Sequence, residues 1–222
     1  TNEGGNLSLQ ISNPQNISCN GLSDGSANVS ASGGSGNYSY LWSNGQTTAT
    51  ATNLVEGITS VVVSDNSTGC SGMASVNVSE PSELEVEIEG TDITCNGMDN
   101  GTATSNAFGG TSPYSFDWSN GSSSQNLSNL TSDTYTLTVT DANDCTVSAS
   151  ITIQNGSSIN VTINNVVPPS CFNGQNGSAT ATPVGGNLPY TYSWSNGATT
   201  GNVTGLMAGS VSVTITDVDG CS

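Results

Sequence analysis

The side chains in this sequence that could do chemistry are carboxylates, hydroxyls and thiols. The 222 residues include 17 acidic residues and six cysteines, but no lysine, arginine or histidine. Enzymes most often move protons with histidine, and a serine nucleophile needs such a base beside it. Paired carboxylates can hydrolyse glycosidic bonds, yet no acidic pair recurs along the chain. We therefore expect that the protein is not an enzyme.

The absence of cations also excludes classes of partner. The formal net charge is −17, and a chain without lysine or arginine cannot neutralise the phosphates of nucleic acids. Anionic membrane surfaces repel such a chain for the same reason. No apolar run approaches the roughly 20 residues of a membrane-spanning helix. We expect no nucleic-acid partner and no membrane insertion.

The cysteines and tryptophans recur at an interval of about 76 residues. The sequence around each tryptophan recurs too, as GGSGNYSYLWSNG, GGTSPYSFDWSNG and GGNLPYTYSWSNG. Self-similarity at a fixed period is the signature of a repeat architecture. We predict three repeats over 1–81, 82–157 and 158–222. Two cysteine sets follow this period: Cys19, Cys95 and Cys171, and then Cys70, Cys145 and Cys221.

The residue pattern of each repeat predicts six or seven short β-strands. The first strand alternates apolar and polar residues (LSLQIS, LEVEIEG, INVTINN), which buries one face. A later strand ends in Trp-Ser-Asn-Gly, and Asn-Gly favours a two-residue hairpin turn with positive φ at both positions. Further alternating strands include 134–140 and CTVSASITI, and no segment has helical periodicity. The fold class predicted is all-β, a tandem array of three immunoglobulin-like β-sandwich repeats of about 76 residues.

The recurring residues carry a family resemblance. The pattern Cys-x-Gly, Asp/Asn-Gly-Ser/Thr-Ala, Gly-Gly-x-x-Pro-Tyr-x-Tyr-x-Trp-Ser-x-Gly and Val-Thr-Asp-x-x-Gly-Cys resembles the SprB repeat. That repeat occurs in tandem in giant surface adhesins of bacteroidete bacteria, including the adhesin of gliding motility. The first copy departs from the pattern, because Gly36-Asn37-Tyr38 stands where the others have Pro-Tyr. The resemblance implies an extracellular, cell-surface location, export across the outer membrane by type IX secretion, and a role in adhesion or motility.

The cysteines predict disulfides rather than a metal site. The chain has no Cys-x-x-Cys pair and no histidine, and disulfides indicate an oxidising compartment. If each repeat is self-contained, repeat symmetry selects three bridges within the repeats. Each would close a loop of about 50 residues and contribute about 4 kcal/mol. The pairs expected are Cys19–Cys70, Cys95–Cys145 and Cys171–Cys221.

An aromatic stripe lies on one strand of each repeat. Aligned aromatic side chains can form a sugar-binding platform, so one hypothesis is recognition of polysaccharide. The other is that the stripe faces inward, because each repeat has few other large side chains with which to fill a core. We favour the core assignment, and solvent exposure of the tryptophans discriminates the two. The residues are Tyr40, Trp42, Phe116, Trp118, Tyr192 and Trp194.

Three aspartates recur at one position of the repeat: Asp65, Asp141 and Asp217. Carboxylates are ligands that calcium prefers, so a calcium site is one interpretation. The other is an Asx turn, in which the carboxylate accepts a backbone N–H two residues on, and we favour the turn. No other cofactor is expected. The acidic run from Glu80 to Glu89 does not recur and predicts a solvated edge strand.

The function predicted is that of a structural stalk or filament segment of a large bacterial cell-surface adhesin. The alternative is a carbohydrate-binding module for extracellular polysaccharide. In the first two repeats an alternating strand follows the second cysteine, whereas the third stops at Cys221-Ser222. We expect the natural chain to continue, or another copy to donate the missing strand. Partners expected are neighbouring repeats, surface polysaccharide or a strand-donating copy.

Overall fold

The computed structural model describes residues 7–222, so that positions 1–6 of the predicted first repeat lie outside the described part. The described residues form 17 β-strands and no helix. The prediction of an all-β chain built from three sandwich repeats is confirmed. The repeat boundaries at 81/82 and 157/158 stay a prediction.

The first repeat consists of two antiparallel sheets of three strands each, in the orders β1-β2-β4 and β3-β5-β6. The core lies between the sheets and contains Val29, Trp42, Leu54, Val61 and Val78. Burying each such aliphatic side chain contributes about 1.5–3 kcal/mol. The strands are β1 Ser8–Gln15, β2 Gly25–Ser32, β3 Tyr38–Trp42, β4 Thr50–Leu54, β5 Gly57–Asp65 and β6 Ser71–Val78.

The middle repeat has the same two sheets, in the orders β10-β8-β7 and β12-β11-β9. Strand β7 is an edge strand, and Glu85, Glu87 and Glu89 on it are exposed. Charges on an edge discourage pairing with another chain, as predicted for this part of the acidic run. The prediction was wrong for Glu80, which lies before the strand, is half-buried and accepts the Gly21 N–H. The strands are β7 Glu85–Thr91, β8 Gly101–Phe108, β9 Ser115–Trp118, β10 Leu127–Leu130, β11 Thr134–Thr140 and β12 Thr146–Thr152.

The third repeat has five strands among the described residues. Its sheets are β13-β14-β16 and β15-β17, so the second sheet has two strands instead of three. The core residues are Ala179, Ala181, Trp194, Val203 and Ile215. The strands are β13 Ile159–Val167, β14 Gly177–Gly185, β15 Thr191–Trp194, β16 Asn202–Leu206 and β17 Val213–Thr216.

An apolar groove of about 430 Å³ lies in the third repeat where the other repeats hold the end of their closing strand. In the first two repeats that place is filled by Val78 and Ile153, which are buried. A Cβ on Gly25 would lie 2.8 Å from Val78, and one on Gly101 would lie 2.7 Å from Ile153. The groove is therefore complementary to a strand that carries an aliphatic residue eight positions after the second cysteine.

The turn after each tryptophan differs from the predicted one. Gly45 has a φ of 85°, whereas Asn44 is not among the residues with positive φ. The Trp42 N–H donates to the Gln46 carbonyl at 2.9 Å, and the Gln46 N–H donates to the side-chain oxygen of Asn44. Strand β3 then pairs with β5, and β4 pairs with β2. The Asn-Gly step therefore sends the chain to the opposite sheet, which is why no two-residue hairpin forms.

The chain divides into two compact units whose boundary passes through the middle repeat. The first contains the chain up to Glu87 together with 106–117 and 138–148, and the second contains 88–105, 118–137 and 149–222. Each unit thus combines one terminal repeat with part of the middle one. The junction between the first two repeats lies inside the first unit, and the junction between the last two repeats lies inside the second.

A grafted closing strand should stabilise the third repeat. Replacing Ser222 with the sequence TVSASITI of 146–153 would place an isoleucine in the apolar groove. We expect the free energy of unfolding of this repeat to rise by about 2 kcal/mol from that side chain alone. Amide hydrogen exchange in β17 is the measurement, since its backbone gains a pairing partner. The same extension with aspartate as its last residue is the control, and equal exchange in both variants would contradict the prediction.

Candidate functional site at the repeat junctions

The recurring aspartate organises the loop before the second cysteine. Asp65 is 1% exposed. Its carboxylate accepts hydrogen bonds from the N–H and hydroxyl of Ser35 and from the N–H groups of Ser67 (2.9 Å) and Thr68 (3.2 Å). The Ser35 hydroxyl is the main cause that holds the pKa of Asp65 far below its usual range, and the N–H donors add to it. The bond from Ser67 is that of an Asx turn.

The same geometry recurs in the other two repeats. Burial alone would raise the pKa of Asp141, but the N–H of Thr111 at 2.8 Å and two N–H groups of the turn outweigh it, so the pKa is lowered. The N–H of Asn187 at 3.0 Å is the largest cause of the lowered pKa of Asp217. Both aspartates are 5% exposed. Their oxygens are engaged by N–H donors, as the turn interpretation requires.

The Gly-Gly pair makes room for this carboxylate. Gly34, Gly110 and Gly186 all have positive φ, a conformation that glycine adopts without steric cost. A Cβ on Gly110 would lie 2.7 Å from the Asp141 carboxylate, and one on Gly186 would lie 2.9 Å from that of Asp217. The second glycine is therefore required because the aspartate approaches the backbone too closely for any side chain.

The disulfides differ from the predicted ones. The structure joins Cys19 to Cys145 and Cys95 to Cys221, with Cα–Cα distances of 5.7 and 5.3 Å and a sequence separation of 126 in both. The predicted bridges within the repeats are absent, and Cys70 and Cys171 are free and exposed. Each bond thus joins the first cysteine of one repeat to the second cysteine of the next.

The closing strand explains why the prediction was wrong. Cys70 immediately precedes the eight-residue strand β6, and the Ile17 N–H bonds to the Ser79 carbonyl at the far end of that strand, two residues before Cys19. Eight residues of strand span about 26 Å, whereas a disulfide needs its two Cα atoms within about 7 Å. The two cysteines of one repeat therefore lie at opposite ends of the sandwich. The alternating residues after Cys70 were the sequence signal for this separation.

A recurring hydrogen bond closes the loop that contains the first cysteine of each repeat. We call this hydrogen bond the bracket, and it was not predicted from the sequence. The residue before that cysteine donates its N–H to the side-chain oxygen of an aspartate or asparagine six positions later. The pairs are Ser18 to Asp24 (3.0 Å), Thr94 to Asn100 (3.1 Å) and Ser170 to Asn176 (3.0 Å). The signal was the Asp/Asn that precedes the Gly-Ser/Thr-Ala step in all three copies.

The bracket also affects the titration of its one acidic member. The Ser18 hydroxyl and then the Ser18 N–H donate to Asp24 and lower the pKa of its carboxyl group. The bracket therefore holds a carboxylate in the first repeat, where the other two hold an amide.

Further hydrogen bonds surround the first junction. The Asn143 side chain donates to the Ser18 carbonyl at 2.9 Å, and the Cys145 sulfur lies 3.5 Å from the same oxygen. On the other side of the loop, the Gly21 N–H donates to Glu80 at 2.9 Å. The carbonyl group of the residue before the first cysteine is therefore the group that the loop of the next repeat contacts.

The second junction repeats this arrangement with different polar residues. The Cys221 sulfur lies 3.4 Å from the Thr94 carbonyl. The Ser157 hydroxyl donates to Asp217 at 3.3 Å, and Cys95 forms an isolated parallel bridge with Ser157. Both junctions therefore combine one covalent bond with backbone-directed hydrogen bonds.

The tryptophans lie in the core. Trp42, Trp118 and Trp194 are 1%, 2% and 5% exposed. Each indole N–H donates to the backbone carbonyl six residues later, at 2.8–2.9 Å. The neighbouring aromatic residues of the stripe, Tyr40, Phe116 and Tyr192, are half-buried. Rings in this position fill the sandwich and offer no tryptophan face to a sugar.

Residues 7–222 contain no group of three or more histidine, cysteine, aspartate or glutamate side chains that could hold a metal ion. Over the same residues, no helix has the length and hydrophobicity needed to cross a membrane. The chemistry that the site offers is thiol oxidation, which joins one repeat to the next.

Proteolytic mapping without reduction should distinguish the two pairing schemes. Cleavage before aspartate leaves Cys95 in 92–98 and Cys221 in 219–222. We expect these two peptides to be linked to each other, and 1–23 to be linked to 144–216. Bridges within repeats would instead link 1–23 to 65–91 and 92–98 to 144–216, a result that would refute the junction disulfides. Mass spectrometry before and after reduction reads the outcome.

Acid should weaken the fold through the recurring aspartates. A carboxyl group whose pKa is lowered by folding contributes stability above its unfolded pKa, and this contribution is lost as the pH falls through the folded value. The ordinary aspartate value is 3.8, so we expect the thermal midpoint to decrease as the pH falls below about 4. The triple variant Asp65→Asn, Asp141→Asn, Asp217→Asn should melt lower at pH 7 and change less in acid. Asp117→Asn, at an exposed site on β9, is the control and should leave both midpoints unchanged.

Comparison with known proteins identifies the repeat. The SprB repeat matches residues 11–47, 89–123 and 163–199. No protein of curated function matches the chain. Among solved structures, the three N-terminal domains of the highly immunogenic outer capsid protein of bacteriophage RB49 are 19% identical, with a TM-score of 0.45 over 86% of this chain and 75% of that one.

Two immunoglobulin-domain proteins are similar over much of the chain. Sidekick-1 immunoglobulin domains 1–5 are 12% identical, with a TM-score of 0.37 over 93% of this chain and 54% of that one. An amphioxus IgVJ-C2 molecule is 17% identical, with a TM-score of 0.28 over 66% of this chain and 96% of that one. The three matched segments each contain a Gly-Gly pair, the buried tryptophan and its Asn-Gly turn. The chain belongs to the SprB repeat family and carries three copies of the repeat.

Proposed function

We propose that this chain is a stalk segment of a large bacterial cell-surface adhesin, which extends an adhesive part of the protein away from the cell. SprB repeats are repeats of cell-surface adhesins, and disulfides suit an extracellular location. The observation that carries the proposal is the pair of disulfides between successive repeats. Bonds in this position limit how far the array can be stretched.

The mechanical effect follows from the covalent path. Repeat arrays are quasi-one-dimensional, and each repeat contacts mainly its neighbours. When such an array is pulled, a repeat that unfolds adds its whole length to the extension. With the disulfides intact, the shortest path from end to end runs through Cys19–Cys145, back to Cys95, and through Cys95–Cys221. The remaining chain is held in closed loops that carry no load.

Adhesion to a surface and gliding motility both load a stalk in this way. A cell that moves relative to an attached adhesin pulls the repeats along their length. The proposal therefore includes a load-bearing role in surface adhesion and in gliding, after export across the outer membrane by type IX secretion. The acidic, cation-free surface keeps neighbouring stalks apart by electrostatic repulsion.

The carbohydrate-binding alternative has no observation in its favour. A sugar platform needs exposed aromatic faces, and the three tryptophans are buried with their indole N–H groups bonded to backbone carbonyls. If the protein were a lectin, titration with surface polysaccharide would change the tryptophan emission. A stalk segment is expected to show no such change.

Single-molecule stretching tests the stalk proposal. The oxidised chain should reach a contour length of about 240 Å, and the reduced chain about 770 Å, because only reduction releases the closed loops. The double variant Cys19→Ser, Cys95→Ser is the matched control and should extend fully without reductant. A fully extended oxidised chain, or saturable binding of polysaccharide with a change in tryptophan emission, would overturn the proposal.

A further inference from the structure

The two free cysteines are the counterparts of cysteines that are bonded elsewhere in the chain. In both junctions the first cysteine of a repeat bonds to the second cysteine of the next repeat, 126 residues later. Cys171 is the first cysteine of the third repeat, and Cys70 is the second cysteine of the first repeat. The two unbonded thiols are therefore complementary halves of the same junction.

The half that carries Cys171 is already in its bonding conformation. The Ser170 N–H bonds to the Asn176 side chain at 3.0 Å, as Ser18 and Thr94 bond to their partners beside the bonded cysteines. Cys171 is exposed, and so is Phe172 beside it, at 93%. The receiving loop thus has the form that it has in the two completed junctions, with its thiol accessible.

The half that carries Cys70 is equally prepared. The Asp65 N–H donates to the Cys70 carbonyl at 2.8 Å, and the equivalent bonds at Cys145 and Cys221 measure 2.9 and 3.0 Å. The exposed Cys70 therefore stands at the end of the same aspartate turn as the two bonded second cysteines. Neither half needs to refold before it can join a partner.

We propose that Cys171 and Cys70 are inter-repeat cross-linking sites, and that Cys171 of one copy of this chain forms a disulfide with Cys70 of a second copy, head to tail. The two thiols lose two protons and two electrons, and a sulfur–sulfur bond forms. A small disulfide such as oxidised glutathione accepts the electrons by exchange and is released as two thiols. The proposal depends on the junction geometry and does not require the stalk role.

The cross-link would join two covalent tracks, one from each copy. One track passes through Cys19–Cys145 and then along the chain to Cys171, and the other passes from Cys70 along the chain to Cys95–Cys221. Each free thiol is thus the open end of one track. Within one copy, the shortest covalent path from Cys70 to Cys171 runs along the chain to Cys95, through Cys95–Cys221 and back to Cys171. This path contains about 75 residues instead of the 101 that separate the two cysteines in the sequence, so an unfolded cross-linked array would extend to at most about 260 Å per copy.

Two variants of the full chain test the pairing, because each leaves one of the two thiols. Cys70→Ser retains Cys171, and Cys171→Ser retains Cys70. The variants are incubated separately and as an equal mixture with reduced and oxidised glutathione, at about 0.15 M salt to screen the acidic repulsion. Gel electrophoresis without reductant measures the products, and near-ultraviolet circular dichroism verifies that both variants keep the fold.

We expect the mixture to give a disulfide-linked dimer at least tenfold faster than either variant alone, and nothing larger. The unsubstituted chain should give a ladder of oligomers in which peptide 65–91 is linked to 144–216 after cleavage before aspartate. Equal dimer yields from the mixture and from the single variants would show random thiol pairing and overturn the proposal. The absence of dimer from the folded mixture would overturn it too. Stretching of a single chain is unaffected by either result, so the stalk proposal is tested separately.

Discussion

The length of the closing strand is the constraint on which the junctions depend. A sandwich repeat of this size places the residue before β6 and the loop after β1 at opposite ends, separated by the span of an eight-residue strand. No side-chain rearrangement can bridge about 26 Å with one disulfide. Cysteines at those two positions can pair only with cysteines of neighbouring repeats. An array that keeps both positions in every copy is consequently cross-linked along its length.

Two local hydrogen-bonded motifs hold the cysteines in the positions that this pairing requires. The aspartate turn fixes the second cysteine, and the Ser/Thr-to-Asp/Asn bracket fixes the first. Both rely on side chains that bond to backbone groups within the loop, so each half of a junction is organised before its partner arrives. The glycines of the Gly-Gly pair belong to the first motif, because the carboxylate lies where a Cβ would be. The tyrosine that follows closes the same loop, as in Tyr114, whose hydroxyl donates to the Gly109 carbonyl.

The cross-links also suit the composition of the chain. With hydrophobic residues at 33% and aromatic residues at 5%, each repeat has a small core that rests on one tryptophan and a few aliphatic side chains. Closing a loop of 126 residues contributes about 5 kcal/mol in the chain-entropy model. This stabilisation requires no apolar surface, so the outside of the array can remain acidic and polar. The same bonds thus join successive repeats covalently and stabilise the fold.

The sequence by itself determined the repeats, the strand positions and the inward face of each strand. These follow from local rules: alternation with period two, turn residues between strands, and the recurrence of Trp42, Trp118 and Trp194 at one interval. The sequence also favoured the Asx turn at Asp65, Asp141 and Asp217, because that motif is formed between residues two positions apart. Only the tertiary structure decided which cysteines pair. Pairing depends on distances between loops that are far apart in the sequence, and a repeating cysteine pattern is equally compatible with bonds within a repeat and bonds to the next repeat. The structure decides between the two because the closing strand separates the two cysteines of one repeat by a full strand length. Only a cysteine of the next repeat is then close enough to form a disulfide.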